Sequence, residues 1–172
     1  MKFLTTNQCT AWCSNRNFPR PSHPRIYPSE EKHARYDFEI PTDSGHRVAL
    51  ARRLWSASVD SADEERLLWI EEWGVWPSGE HFPLLTALRA GFGERRSLID
   101  VPGHLSEQGD DEDGLSFLIV GLLFLWDCWL YTKSGTVLML SHDEYGIVFE
   151  PRSRSAPCIH GELERLDVLV KK

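Results

Sequence analysis

The run Leu115 to Trp126, LSFLIVGLLFLW, carries no charge in twelve consecutive residues. A helix that crosses a bilayer needs about 20 apolar residues, so this run belongs to the interior of a folded core. Asp110, Asp111, Glu112 and Asp113 stand just before it. Carboxylates in that place offset the exposed amides and the positive dipole end of a helix. The pattern therefore predicts a buried helix beginning near Asp110. Gly121 in its middle costs about 1 kcal/mol against alanine in an exposed helix, which predicts that the following sheet packs close against its backbone.

Past Trp126 the period changes from helical to alternating. Asp127, Trp129 and Tyr131 fall on one side of an extended segment and Cys128, Leu130 and Thr132 on the other. Lys133, Ser134 and Gly135 make a short turn, Thr136 to Leu140 return as an antiparallel partner, and Gly146 to Glu150 add a third strand. A helix leading into a three-stranded meander is enough to nucleate a domain.

The upstream chain supplies the elements that cover this core. Thr5 and Gln8 have capping-box spacing for a helix from Thr6 to about Asn15, with Cys9, Trp12 and Cys13 on one face. Residues 17–33 hold Pro19, Pro21, Pro24 and Pro28, a density that precludes regular structure and predicts an extended connector. Tyr36, Phe38 and Ile40 alternate with Asp37 and Glu39 as a half-buried strand. A helix from about His46 to Ser58 follows the cap candidates Thr42, Asp43 and Ser44, with Leu50, Leu54 and Trp55 inward and Arg47, Arg52 and Arg53 toward water. Leu67 to Trp73 reads as an interior strand. Leu85, Leu88 and Phe92 mark a helix stopped by Gly93, and Pro102 with Gly103 marks a turn in the loop-like stretch 94–109. The tail through Leu163, Leu166, Val168 and Val170 fits a short helix or a strand.

These elements predict an α+β fold in a single domain spanning 1–172. Its sheet is mixed but largely antiparallel, of about five strands, and covered by helices; the strand, helix, strand unit at Tyr36 to Trp73 supplies the parallel pair. A chain of 172 residues buries enough surface to fold without cross-links. The seven tryptophans belong mostly to the core. The first residues, MKFLTTNQCTAW, lack the apolar stretch of a secretory signal. A cytoplasmic protein with Cys9, Cys13, Cys128 and Cys158 reduced is the expectation.

Chemistry-bearing patterns are sparse. Ser141, His142 and Asp143 are adjacent, whereas a hydrolytic triad converges side chains from separate parts of a fold, and strand neighbours alternate faces; the segment reads as a turn. A metal-assisted hydrolase would draw on His142, Asp143, Glu144, Asp127 and His104, with Glu71 or Glu72, as ligands near strand ends. Cys9 and Cys13 have no second pair to complete a zinc set and read as core. Asp127, set between Trp126 and Cys128, must be paired or bonded to amides if ionised, which makes it a junction residue. A net charge of −7 argues against nucleic acid as a partner, whose binding relies on clustered lysine and arginine. No pattern points to a membrane or to a cofactor. The leading expectation is a non-enzymatic, acidic module that binds a basic protein, in the manner of an immunity or inhibitor protein. Its candidate patches are Asp110, Asp111, Glu112 and Asp113, and the aromatic corner of Trp73 and Trp76.

Overall fold

Alternating apolar segments assemble into a seven-stranded antiparallel sheet with a helical layer on one face. The computed structural model describes residues 1–21, 25–59, 64–72, 81–154 and 159–169. In chain order the elements are β1 (Lys2–Leu4), α1 (Thr6–Ser14), β2 (His33–Glu39), α2 (Ser44–Ala57), β3 (Arg66–Glu72), α3 (His81–Gly91), β4 (Gly103–Ser106), α4 (Asp111–Leu123), β5 (Asp127–Thr132), β6 (Val137–Ser141), β7 (Tyr145–Pro151) and α5 (Ile159–Arg165). The strands lie in the order β1-β4-β3-β5-β6-β7-β2, and all neighbours are antiparallel. The class is α+β, as the pattern predicts, with two more strands than expected. No parallel pair forms between β2 and β3, because the whole meander β5 to β7 lies between them.

The meander and its preceding helix stand where the periodicity places them. Side chains of one parity, Leu68, Ile70, Leu130, Leu140 and Val148 among them, pack against Leu50, Leu54 and Trp55 of α2, Phe117 and Leu118 of α4, and Ile159 and Leu163 of α5. The other parity, Leu67, Trp69, Trp129, Tyr131, Met139 and Phe149, packs against Cys9, Trp12 and Cys13 of α1 and against Phe18 and Tyr27. Both faces are covered, which is why Leu67 to Ile70 reads as an unbroken apolar run. The proline-rich connector supplies part of that cover. Tyr27 lies 5.4 Å from the ring of Phe149 and 6.2 Å from that of Trp129, and Phe18 lies 5.6 Å from Tyr131.

Local signals act as their chemistry requires. The capping box at Thr5 and Gln8 closes the first turn of α1, and Asp43 caps α2 by accepting from the His46 amide at 2.9 Å. Gly103 opens β4 rather than a turn. Its missing side chain admits α1, since a Cβ there would lie 2.2 Å from Cys9 Sγ. The tightest helix contact is at Gly114, where a Cβ would meet Ser106 Oγ at 2.2 Å and the Trp55 ring at 2.4 Å; at Gly121 it would meet Cys128 Sγ at an ordinary 3.5 Å. Arg47 does not face water. Its guanidinium donates to the carbonyls of Pro41 and Leu123, tying α2 to the end of α4. The tail is both of its alternatives, helix α5 and then a bridge between Leu169 and Phe38. Among the described residues no helix is long and apolar enough to cross a membrane.

Candidate functional site

One end of the sheet collects carboxylates that are far apart in sequence. β2 and β3 finish there, β5 and β7 start there, and the Ser141 to Tyr145 turn closes β6 onto β7. The register of β3 on β5 shifts between Ile70 and Glu72, so Glu72 stands opposite Asp127 and Glu71 is the additional residue of a bulge. Glu71 accepts a hydrogen bond from Trp129 Nε1 at 3.1 Å.

Asp127 is buried at the centre of this end. Its Oδ1 accepts from the His142 amide at 2.6 Å and from His142 Nδ1 at 2.9 Å. Its Oδ2 accepts from Arg25 at 3.0 Å, and the same guanidinium donates to Tyr145 Oη at 2.7 Å. A carboxylate with an amide and an arginine as partners is the junction residue that the sequence requires. Because an ionised carboxylate only accepts, Nδ1 of His142 carries the proton, which turns Nε2 outward. There it meets Asp143 Oδ1 at 3.5 Å. Glu72, Asp127 and His142 each offer one ligand atom within 4.8 Å of the others. The Arg25 guanidinium already neutralises Asp127, so a cation bound to Asp127 itself would face like charge. The freer donors are Glu72, His142 Nε2 and Asp143.

Beside this centre lies the outer rim. Glu39, Asp43, Glu72, Asp143, Glu144 and Asp167 are all exposed. The backbone draws several of them together: the Glu39 amide donates to Val168 O at 2.9 Å and the Ile40 amide to Glu144 O at 2.8 Å. A cavity of about 370 Å³ opens here, with Glu39, Asp43 and Asp167 at its mouth and Ile40, Pro41, Leu166 and Val168 as apolar walls. Arg47 approaches Glu144 at 3.4 Å and His46 approaches Asp43 at 3.2 Å. Glu39, Glu72 and Asp167 have no cationic partner among the described residues.

The other expected site residues lie elsewhere. Asp110 accepts from the Met1 amino group at 2.8 Å and from the Glu107 amide at 3.0 Å. Burial opposes its ionisation, but those donors hold its carboxyl below the usual range. Asp111 accepts from the buried Arg66 at 2.6 Å and from Trp55 Nε1 at 2.9 Å, and Arg66 stacks 4.3 Å above the Trp55 ring. Glu112 is exposed and Asp113 half-buried. Half of that acidic stretch is therefore bound up in holding α4, α2 and the sheet together. Trp73 and Trp76 fall outside the described residues. His104 does not join His142: it sits under α4, 4.5 Å from the Phe117 ring, with Nδ1 facing Pro102 O. Burial, aided by the nearby Arg89, pushes its pKa down to about 3. Cys9, Cys13 and Cys128 are free and buried, and burial pushes the Cys9 and Cys13 thiols up to about 12; Cys158 lies outside the described residues.

Sequence reasoning misses Arg25, Glu39, Asp43 and Asp167 as members of this end. Only the strand order reveals them, because they sit in a connector, a strand end, a cap and a post-helical turn. No family model matches the chain, and neither the curated proteins nor the solved structures contain a significant match.

Proposed function

We propose that this chain is a non-enzymatic protein-binding module that receives a basic side chain of a partner protein at the acidic end of its sheet. The cavity beside Glu39, Asp43 and Asp167 carries this reading. A lysine or arginine buries an aliphatic stem while its charged head seeks oxygen acceptors. Apolar walls of Ile40, Pro41, Leu166 and Val168 beneath a carboxylate mouth suit both halves of such a residue. The net charge of −7 adds long-range attraction for a basic surface.

The test is affinity capture from cell extract at low salt, with variants that alter charge and spare the fold. Asp43 is left alone because it caps α2. Asp167 has a φ of 53°, a region asparagine tolerates, so Glu39→Lys is combined with Asp167→Asn. Glu112→Lys with Asp113→Asn makes the same charge change away from the rim. The reading expects partners held by the wild type and by the second variant to be lost from the first, and to elute with salt. Equal capture by all three proteins would overturn it.

A second reading, a metal-assisted hydrolase, is favoured by the approach of Glu72, Asp127 and His142. In this reading Glu72 and His142 would hold the ion beside Asp127, the three groups that approach one another. Elemental analysis of untagged protein distinguishes the readings. Stoichiometric metal together with a raised melting temperature in added zinc or manganese would favour this one; substoichiometric metal and no shift would remove it.

A further inference from the structure

The opposite end of the sheet has the opposite electrostatic character. Strand β5 is six residues long, which puts its two ends roughly 20 Å apart, and at its far end the Lys133 to Gly135 turn joins it to β6. A cavity of about 630 Å³ opens there, between that turn, the end of β7, the start of β2 and the connector. Arg16, Lys32, His33, Lys133 and Arg152 line it, and among the described lining residues there is no carboxylate. In a chain of net charge −7 this is a marked concentration of positive charge. Two neighbouring acids are engaged, Glu65 accepting from Arg16 at 2.6 Å and Glu64 from the Ser134 amide, while Glu30 and Glu31, beside Lys32, are exposed and do not line the cavity. Lys32 and Lys133 are exposed and have no carboxylate partner among the described residues.

The remaining lining narrows the ligand. Ser29, Ser134 and Ser153 bring hydroxyls to the cavity, while Phe18, Pro19, Pro28 and Pro151 make an apolar wall. His33 Nδ1 donates to Ser29 O at 3.2 Å, so its Nε2 is the ring atom left for other contacts. A single carboxylate is satisfied by one arginine fork. Lys32, Lys133 and Arg152 come from three separate segments and, with hydroxyl donors among them, suit a group that presents three or more anionic oxygens over a wider volume. The volume lies within the range of small-molecule sites, and the connector walls one side, which distinguishes it from an open track for a polymer. We propose that this cavity binds a phosphorylated small molecule, its phosphate groups held by Lys32, Lys133 and Arg152 and its uncharged part laid against Phe18 and the prolines.

Isothermal titration calorimetry at low salt, with pyrophosphate and ADP as separate probes, tests this. Both should bind saturably, and ADP should bind more tightly because its ring adds contact with the apolar wall. Lys133→Gln and Lys32→Gln alter exposed side chains on different elements, so a folding defect in one leaves the other informative. Each should weaken binding about ten-fold, the scale of one charge-assisted hydrogen bond, while Arg52→Gln, an exposed residue outside the cavity, should leave it unchanged. The proposal is overturned if neither probe binds saturably at millimolar concentration. It is equally overturned if all three variants lose affinity alike, which would mark a general response to net charge.

Discussion

Replacing Asp127 by alanine removes three hydrogen bonds at once, those from the His142 amide, from His142 Nδ1 and from Arg25. A buried amide left without an acceptor costs about 1–3 kcal/mol. A fully buried cation stripped of its partner costs about 3–5 kcal/mol. Arg25 keeps Tyr145 and is 17% exposed in its side chain, so only a part of that second cost applies. The expected loss for Asp127→Ala is about 3 kcal/mol, or roughly 6–12 °C in Tm for a chain of this size. Asp127→Asn retains a carbonyl for the His142 amide and loses the charge pairing, so about 2 kcal/mol is expected. Urea melts of the three proteins, with the slope checked for constancy, measure both numbers. Wild-type stability in the alanine variant would refute the junction role and release Asp127 for chemistry.

His104 makes stability fall on acidification. Its folded pKa of about 3 lies below the unfolded value of about 6.5, so the unfolded chain binds the additional proton between them. The stability this contributes is present above the unfolded pKa and is lost as pH falls toward the folded one, at up to about 1.4 kcal/mol per pH unit. Melts between pH 6.5 and 5, above most carboxylate titrations, should show His104→Leu losing less stability than the wild type; equal slopes would contradict the burial account. Gly114→Ala should destabilise by about 1–3 kcal/mol through overpacking, while Gly121→Ala should be neutral or stabilising by up to about 1 kcal/mol, as read by thermal melts of both. Cys9, Cys13 and Cys128 should resist alkylation at pH 7.5 in the native protein and react in urea, with peptide mass mapping as the readout.

Much of the fold is legible because its strongest signals are periodic. The apolar helix α4 with its acidic first turn, the alternation through β5 to β7 and the capping box all rest on spacing that local geometry enforces. β1 and β4 escape for the reverse reason. Three and four residues are too few to show a period, and Gly103 resembles a turn signal although its role is to admit Cys9 and Leu4. Strand order is equally hidden, since nothing in the local pattern of β2 and β3 reveals that three strands separate them. The site inherits that difficulty. Asp127 stands out because an ionisable residue between two apolar elements needs partners, but the identity of Arg25 as one partner depends on how the connector crosses the sheet. Asp110 and Asp111 read as a surface patch, and the partners that engage them, Met1, Trp55 and Arg66, come from distant segments.

Carbodiimide cross-linking joins carboxylates directly to lysine amines in contact with them, so it reads the contact surface without substitution. Applied to the protein with a captured partner, it should give intermolecular links at Glu39, Asp167 and Asp143. Links confined to Glu112 and Asp113, or spread evenly over the exposed acids, would contradict the assignment of partner binding to the acidic end of the sheet.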